Sequence, residues 1–119
     1  MSARQPRTGE RGEYLKAWYV KNREKELARS RANRAARRAQ VDAIKIERGC
    51  ADCGYNEHAV ALDFDHVRGD KVAHVGTLVT RGHTMQTILA EIEKCDVVCA
   101  NCHRVRTERR HQESIQTLV

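Results

Sequence analysis

The chain has 119 residues, the length of one small domain, and its few aromatic side chains comprise one Phe, one Trp and three Tyr. Such a chain can bury only a slight aromatic core, so a domain of this size usually needs disulfides or a metal ion. Residues 1–49 carry fourteen Lys or Arg against six Asp or Glu, whereas residues 50–119 carry eight against ten. All the excess positive charge therefore precedes the first cysteine, which predicts a polyanionic partner.

Composition and termini argue against a secreted or membrane protein. The first ten residues are polar and charged, without the apolar stretch of a secretory signal, and no segment is apolar for long enough to span a bilayer. The cysteines number five, an odd count that does not favour a disulfide framework. We therefore expect a soluble, cytoplasmic protein with no membrane partner, whose paired cysteines bind metal.

The first half of the chain is predicted to be a tail followed by a helical arm. Residues 1–11 contain the only proline and no apolar period, which predicts a disordered tail. Residues 12–49 are predicted to form the arm, because no Gly or Pro interrupts the run from Glu13 to Arg48, where Ala, Arg, Lys, Glu and Leu dominate. Gly49 is expected to end this helix.

The arm carries two features that suggest binding. No acidic residue occurs from Leu27 to Val41, and five arginines do: Arg29, Arg31, Arg34, Arg37 and Arg38. A solvated helix is the alternative, but we favour salt-sensitive contact with DNA phosphates and weak sequence specificity. The apolar patch Tyr14, Leu15, Trp18 and Tyr19 could instead bind a partner protein or a second copy of the chain.

Residues 50–119 are predicted to form an α+β domain. Its expected elements are a strand with alternating Val60, Leu62 and Phe64 that ends at His66, a short helix from Gly76 to Arg81, a second helix capped by Thr84, a brief strand Asp96–Val98, and a polar helix from His103 to Gln112. The last helix carries Arg104 and Arg106, which we also consider for DNA contact.

Two Cys-x-x-Cys pairs, Cys50/Cys53 and Cys99/Cys102, predict a structural Zn²⁺ site. The two-residue spacer suits zinc because it lets both thiolates approach the metal from one tight turn. Two unrelated turns or simple buried thiols are the alternative. Cys95 has no partner at this spacing and is predicted to be a buried small hydrophobe.

Zinc bound by the four cysteines would draw together the strand ending at Asp65-His66 and the helix starting at His103. Asp65 and His103 could then share a second divalent cation as a carboxylate and an imidazole. His66 would point to the opposite face of a regular strand, so a bend is expected there.

At these residues the chain resembles the HNH endonucleases, of the small zinc-finger kind frequent in phages and bacteria. The resemblance covers about residues 50–107. The matching stretches are Cys50-x-x-Cys53, Leu62-Asp63-Phe64-Asp65-His66-Val67 and Cys99-Ala100-Asn101-Cys102-His103-Arg104, with the run from Glu91 to Thr107 (EIEKCDVVCANCHRVRT) particularly characteristic.

The resemblance implies a ββα-metal finger with the four-cysteine zinc beneath it. It implies that His66 is the general base that activates water, and that Asp65 and His103 ligate a catalytic Mg²⁺, Mn²⁺ or other divalent metal. It also implies DNA as substrate, phage or other DNA-processing proteins as partners, and the cytoplasm of a bacterial or phage-infected cell. The family's middle Asn has no match at Lys94, Cys95 or Asp96, and Asn101 is a doubtful substitute.

We therefore expect a metal-dependent HNH endonuclease that hydrolyses DNA phosphodiester bonds. A non-catalytic zinc-finger DNA-binding protein is the alternative, and a protein-interaction zinc domain is the third hypothesis. The residues Asp65, His66 and His103 favour the enzyme, because a protein that only binds DNA has no use for a carboxylate and imidazoles beside its zinc.

Overall fold

The computed structural model describes residues 8–118, and residues 1–7 of the predicted tail (residues 1–11) lie outside the described residues. Helix α1 (Thr8–Arg48) contains the whole predicted arm. Its predicted start at residue 12 is wrong, because residues 8–11 are helical as well. Gly9 and Gly12 weaken helix propensity there, which is why the sequence predicts a later start. The expected end is confirmed: Gly49 follows with a φ of +66°, the left-handed conformation that favours glycine.

The chain divides into two compact units, one ending at Asn33 and the other beginning at Arg34, and α1 contributes residues to both. In the first unit, the apolar patch of α1 is exposed to solvent. Its members Trp18 and Tyr19 contact each other edge to face, with ring centroids 5.4 Å apart.

The second unit has the mixed α+β architecture that the sequence predicts. After α1 its elements are β1 (Leu62–His66), α2 (Val75–Thr80), α3 (Met85–Ile92), β2 (Cys95–Cys99) and α4 (Ala100–Leu118). The predicted cap of α3 is confirmed, since the Thr84 hydroxyl accepts a hydrogen bond from the Thr87 N–H at 3.2 Å.

Strands β1 and β2 form a two-stranded antiparallel sheet. Leu62 lies opposite Cys99, and the pairing continues in register to His66 opposite Cys95. The expected bend at His66 is therefore not present, because the strand remains paired through its last residue. Helices α2 and α3 lie in the segment of the chain that connects the two strands.

The starts of β1 and α4 differ from the predicted ones. Val60 lies in a 3₁₀ turn before β1 and is 86% exposed, so the alternating pattern begins two residues before the strand does. Helix α4 begins at Ala100 rather than His103, because the Cys102 N–H donates to the Cys99 Sγ at 3.4 Å and so caps the first turn. No Gly or Pro follows in α4, which continues to Leu118.

The core of the second unit has two clusters. The first joins Val41 of α1 to buried residues of α2, α3 and β2, so the end of the arm packs on the cysteine-containing domain. The second lies beside the cysteines and contains Cys50, Leu62, Val97 and Val98.

In the described part of the chain, no helix has the length and apolar character needed to cross a membrane.

Candidate active site

The four paired cysteines converge at one end of the sheet. Their Sγ atoms all lie within 4.8 Å of one another, close enough to hold a metal ion such as zinc. Cys50 follows the glycine that ends α1, Cys99 ends β2, and Cys102 lies in the first turn of α4. Among residues 8–118, these four cysteines are the one group of three or more Cys, His, Asp or Glu side chains arranged in this way.

The close approach of the four thiols changes the pKa of individual cysteines. Burial opposes ionisation of Cys50, but backbone hydrogen bonds at Cys99, Cys53 and Asp52 outweigh it and lower its pKa to about 6. The hydrogen bond with the Cys99 thiol, together with burial, raises the pKa of Cys102 to about 12. Four adjacent thiols cannot all ionise without compensation, and a bound cation supplies it.

Cys95 is separate from this group, as predicted. It is buried at the opposite end of β2, and its thiol donates to the Glu91 carbonyl at 3.4 Å. Burial, followed by the negative charge of Glu91, raises the pKa of Cys95 to about 11. This thiol is therefore neutral and part of the core.

The predicted metal ligands His103 and Asp65 lie close together. The His103 Nε2 is 3.8 Å from the Asp65 Oδ1, and the His103 Nδ1 is 3.1 Å from the Asp63 Oδ2. When Asp63 is ionised it accepts the hydrogen of Nδ1, which leaves the lone pair of Nε2 directed toward Asp65. This is the arrangement in which an outer carboxylate orients a metal-binding histidine.

Asp65 is buried, 4% exposed, and its carboxylate is already paired with two arginines. Arg110 donates to Oδ1 at 2.8 Å and to Oδ2 at 2.7 Å, and Arg106 donates to Oδ2 at 2.9 Å. Burial raises the pKa of Asp65, but these hydrogen bonds outweigh it and lower the pKa to about 2. A cation bound by Asp65 would therefore share the carboxylate with Arg110.

Arg106, which we predicted to contact DNA, instead joins three acidic side chains. It donates to both carboxylate oxygens of Asp52 at 2.7 Å, and its Nη1 also reaches Asp65 and, at 3.1 Å, Asp96. Its side chain is 18% exposed. The guanidinium therefore links the first cysteine turn to both strands and is not available to phosphate.

His66 lies on the face of β1 opposite Asp65, yet it lines the same cavity as His103. This cavity, of about 390 Å³, is lined by Lys45, Asp63, Phe64, His66, His74, Val75, Gly76 and His103. Because side chains from both faces of β1 contribute, the cavity follows the edge of β1 that β2 leaves uncovered. His66 and His103 therefore line one cavity without a bend in the strand.

The sequence reasoning missed three residues around this cavity. Lys45 lines it, with its Nζ 5.3 Å from the centroid of the Phe64 ring. His74, the residue before α2, lines it too and makes no side-chain cap hydrogen bond. Glu91 contacts His66, its Oε1 lying 2.9 Å from the His66 Nε2. One feature of the sequence could have indicated that Glu91 is buried: it lies beside Ile88 and Ile92 on the apolar face of α3.

The arginines of the arm remain candidates for DNA contact. Arg29, Arg31, Arg34 and Arg38 are exposed, and Arg37 is half-buried. Arg104, on α4, is exposed as well. Within residues 8–118 none of these six arginines forms an ion pair with a carboxylate.

Comparisons with protein-family models, with curated proteins and with solved structures found no match for this chain. The function is therefore inferred from the chemistry of the site residues.

Proposed function

We propose that the protein is a metal-dependent endonuclease of the HNH kind that hydrolyses DNA phosphodiester bonds. The observation that supports this most strongly is the alignment of Asp63, His103 and Asp65 beside a cavity that also contains His66. A carboxylate-oriented histidine facing a second carboxylate is a metal-binding arrangement, and a second histidine nearby supplies a base.

The donor set fits one divalent cation. Two donors that are each about 2.1 Å from a common ion lie roughly 3–4 Å apart. The 3.8 Å between His103 Nε2 and Asp65 Oδ1 falls in this range. These two atoms would hold a Mg²⁺, Mn²⁺ or other divalent ion, with water completing the shell. Such an ion offsets the charge of the scissile phosphate and stabilises the leaving 3′-oxygen.

In this proposal the residues of the chain provide the base and the positive surroundings. His66 accepts a proton from water, and the resulting hydroxide attacks phosphorus opposite the 3′-oxygen. Lys45 lines the same cavity and would add a positive charge beside a phosphate bound there. The four cysteines bind zinc and take no part in the reaction, and the exposed arginines of α1 hold the DNA backbone.

A non-catalytic zinc-finger DNA-binding protein is the second candidate. The observation that favours it is the pairing of Asp65 with Arg106 and Arg110, which already compensates the buried carboxylate without a cation. The two candidates predict different results in a cleavage assay. The nuclease cleaves DNA in a way that depends on His66, whereas the DNA-binding protein does not cleave DNA.

The test is nicking of supercoiled plasmid by zinc-loaded protein with added Mg²⁺ or Mn²⁺. We expect cleavage by the wild type and a loss of about 10²–10⁴-fold in rate for His66→Ala, the typical contribution of a general base. His58→Ala is the matched control, because His58 is exposed and does not line the cavity. Equal rates for wild type and His66→Ala, or no cleavage with any divalent metal, would contradict the proposal.

A further inference from the structure

Glu91 is an acidic side chain in an apolar environment. It lies near the end of α3 between Ile88 and Ile92, both fully buried, and is itself 4% exposed. An unpaired carboxylate at such a position would be strongly destabilising. The chain therefore retains this charge only because partners compensate it.

Three donors from separate parts of the chain supply that compensation. The Val72 N–H donates to Glu91 Oε1 at 3.0 Å, the Lys94 ammonium donates to Oε2 at 3.0 Å, and the His66 Nε2 lies 2.9 Å from Oε1. Burial raises the pKa of Glu91, but the hydrogen bonds, led by that of Lys94, outweigh it and lower the pKa to about 2. Glu91 is thus ionised at neutral pH.

An ionised carboxylate only accepts hydrogen bonds, so the hydrogen in the contact belongs to the His66 Nε2. In the neutral imidazole, which has a single N–H, this contact leaves the lone pair on the His66 Nδ1. The side chain of His66 is only 13% exposed and lines the cavity that it shares with His103. This geometry provides a proton acceptor whose tautomer is determined by a buried anion.

We propose that Glu91 is the positioning residue of His66: it holds the hydrogen on Nε2, keeps Nδ1 free to accept a proton, and stabilises the imidazolium that forms. The inference rests on the proposed nuclease function. Water gives its proton to Nδ1, its oxygen forms the new bond to phosphorus, and the bond from phosphorus to the 3′-oxygen breaks. The 3′-oxygen takes a proton from solvent, and His66 returns its proton to solvent.

Glu91 also contacts the segment that follows β1. It connects the end of β1 to the following segment through Val72, and Lys94 binds the Asp70 carbonyl at 2.7 Å as well. The base and the segment after it are therefore held by one carboxylate and one ammonium.

The test combines kinetics with the tautomer of His66. Glu91→Gln keeps the size and an acceptor oxygen but removes the charge, and Glu93→Gln is the matched control because Glu93 is exposed two residues later. We expect Glu91→Gln to lower kcat by about 10- to 100-fold, part of the contribution of a general base, with KM within about twofold of the wild-type value. Glu93→Gln should match the wild type.

A double-mutant cycle separates positioning from a general structural role. If Glu91 acts through His66, adding Glu91→Gln to His66→Ala causes no further loss of single-turnover rate. Multiplicative losses, or a wild-type kcat for Glu91→Gln, would overturn the proposal.

The nitrogen-15 NMR spectrum of the His66 ring in zinc-loaded protein tests the tautomer of His66 without relying on DNA cleavage. The expected spectrum shows the hydrogen on Nε2 in the wild type, and a hydrogen on Nδ1 would overturn the inference. If the wild type shows the expected tautomer but cleaves no DNA, the nuclease proposal fails while the interaction of Glu91 with His66 stands.

Discussion

Replacement of Cys99 by serine tests whether the four-cysteine cluster is the main support of the second unit. The change removes one thiolate ligand from the end of β2, where Cys99 lies opposite Leu62. Serine is a poor zinc ligand at neutral pH because its hydroxyl stays protonated. We expect the affinity for zinc to fall by more than the roughly 10–100-fold that loss of an outer partner costs.

The size of the effect follows from the small core around the cysteines. Its fully buried apolar side chains are Leu62, Val97 and Val98, each worth about 1.5–3 kcal/mol. A structural zinc site contributes about 10–16 kcal/mol, and a two-stranded sheet is marginal on its own. The stabilisation by zinc therefore exceeds the stabilisation by these three apolar side chains. We expect the sheet to unfold when the metal is absent.

The assay is zinc content by elemental analysis together with thermal unfolding followed by circular dichroism. Cys95→Ala is the matched control on the same strand, since Cys95 is buried outside the cluster. It should keep one zinc per chain and lose about 1 kcal/mol, a shift in Tm of roughly 4–8 °C. Cys99→Ser should lose the metal and the cooperative transition. A metal-free Cys99→Ser protein that unfolds like the wild type would refute the reasoning, as would loss of zinc from Cys95→Ala.

Three further predictions concern the cation site and the arm. Asp63→Ala removes the partner of His103 and should weaken Mn²⁺ binding to zinc-loaded protein by about 10–100-fold in calorimetry; an unchanged affinity would speak against the orienting role. Arg110→Gln frees one oxygen of Asp65 and should tighten the same binding by about 1 kcal/mol, roughly fivefold, whereas weaker binding would show that Arg110 supports the site. Arg29→Gln should reduce the slope of log affinity for DNA against log salt by about 0.9, and an unaltered slope would exclude a phosphate contact there.

The features that could be predicted from the sequence depend on short-range patterns. The end of α1 at Gly49, the cap of α3 at Thr84 and the grouping of the cysteines each follow from residues close together in the chain. The nearness of Asp65 to His103 was also predicted, because the cysteine pairs flank both residues.

The contacts that could not be predicted join residues far apart in sequence. Glu91 meets His66 across 25 positions, and Arg106 meets Asp52 across 54. A charged residue gives no indication in the local sequence of which residue it will pair with. The ion pairs of Arg106 and the contact of Glu91 with His66 could therefore not be predicted. The 3₁₀ turn at Val60 was missed because its alternating pattern is the same as that of a strand.

The antiparallel pairing of β1 with β2 limits where insertions and deletions can occur in this chain. Cys99 and Cys95 oppose the first and last residues of β1, so the metal cluster and His66 are separated by four strand positions, about 14 Å. Deleting one residue within β1 would turn the residues on one side of the deletion to the opposite face, so either the alignment of Asp63 and Asp65 with His103 or the contact of His66 with Glu91 would be lost. Residues 81–83 form an exposed turn between α2 and α3, outside this paired frame, and that turn can lengthen or shorten without changing the spacing. Inherited variation in chain length should therefore accumulate between the strands and be absent within them.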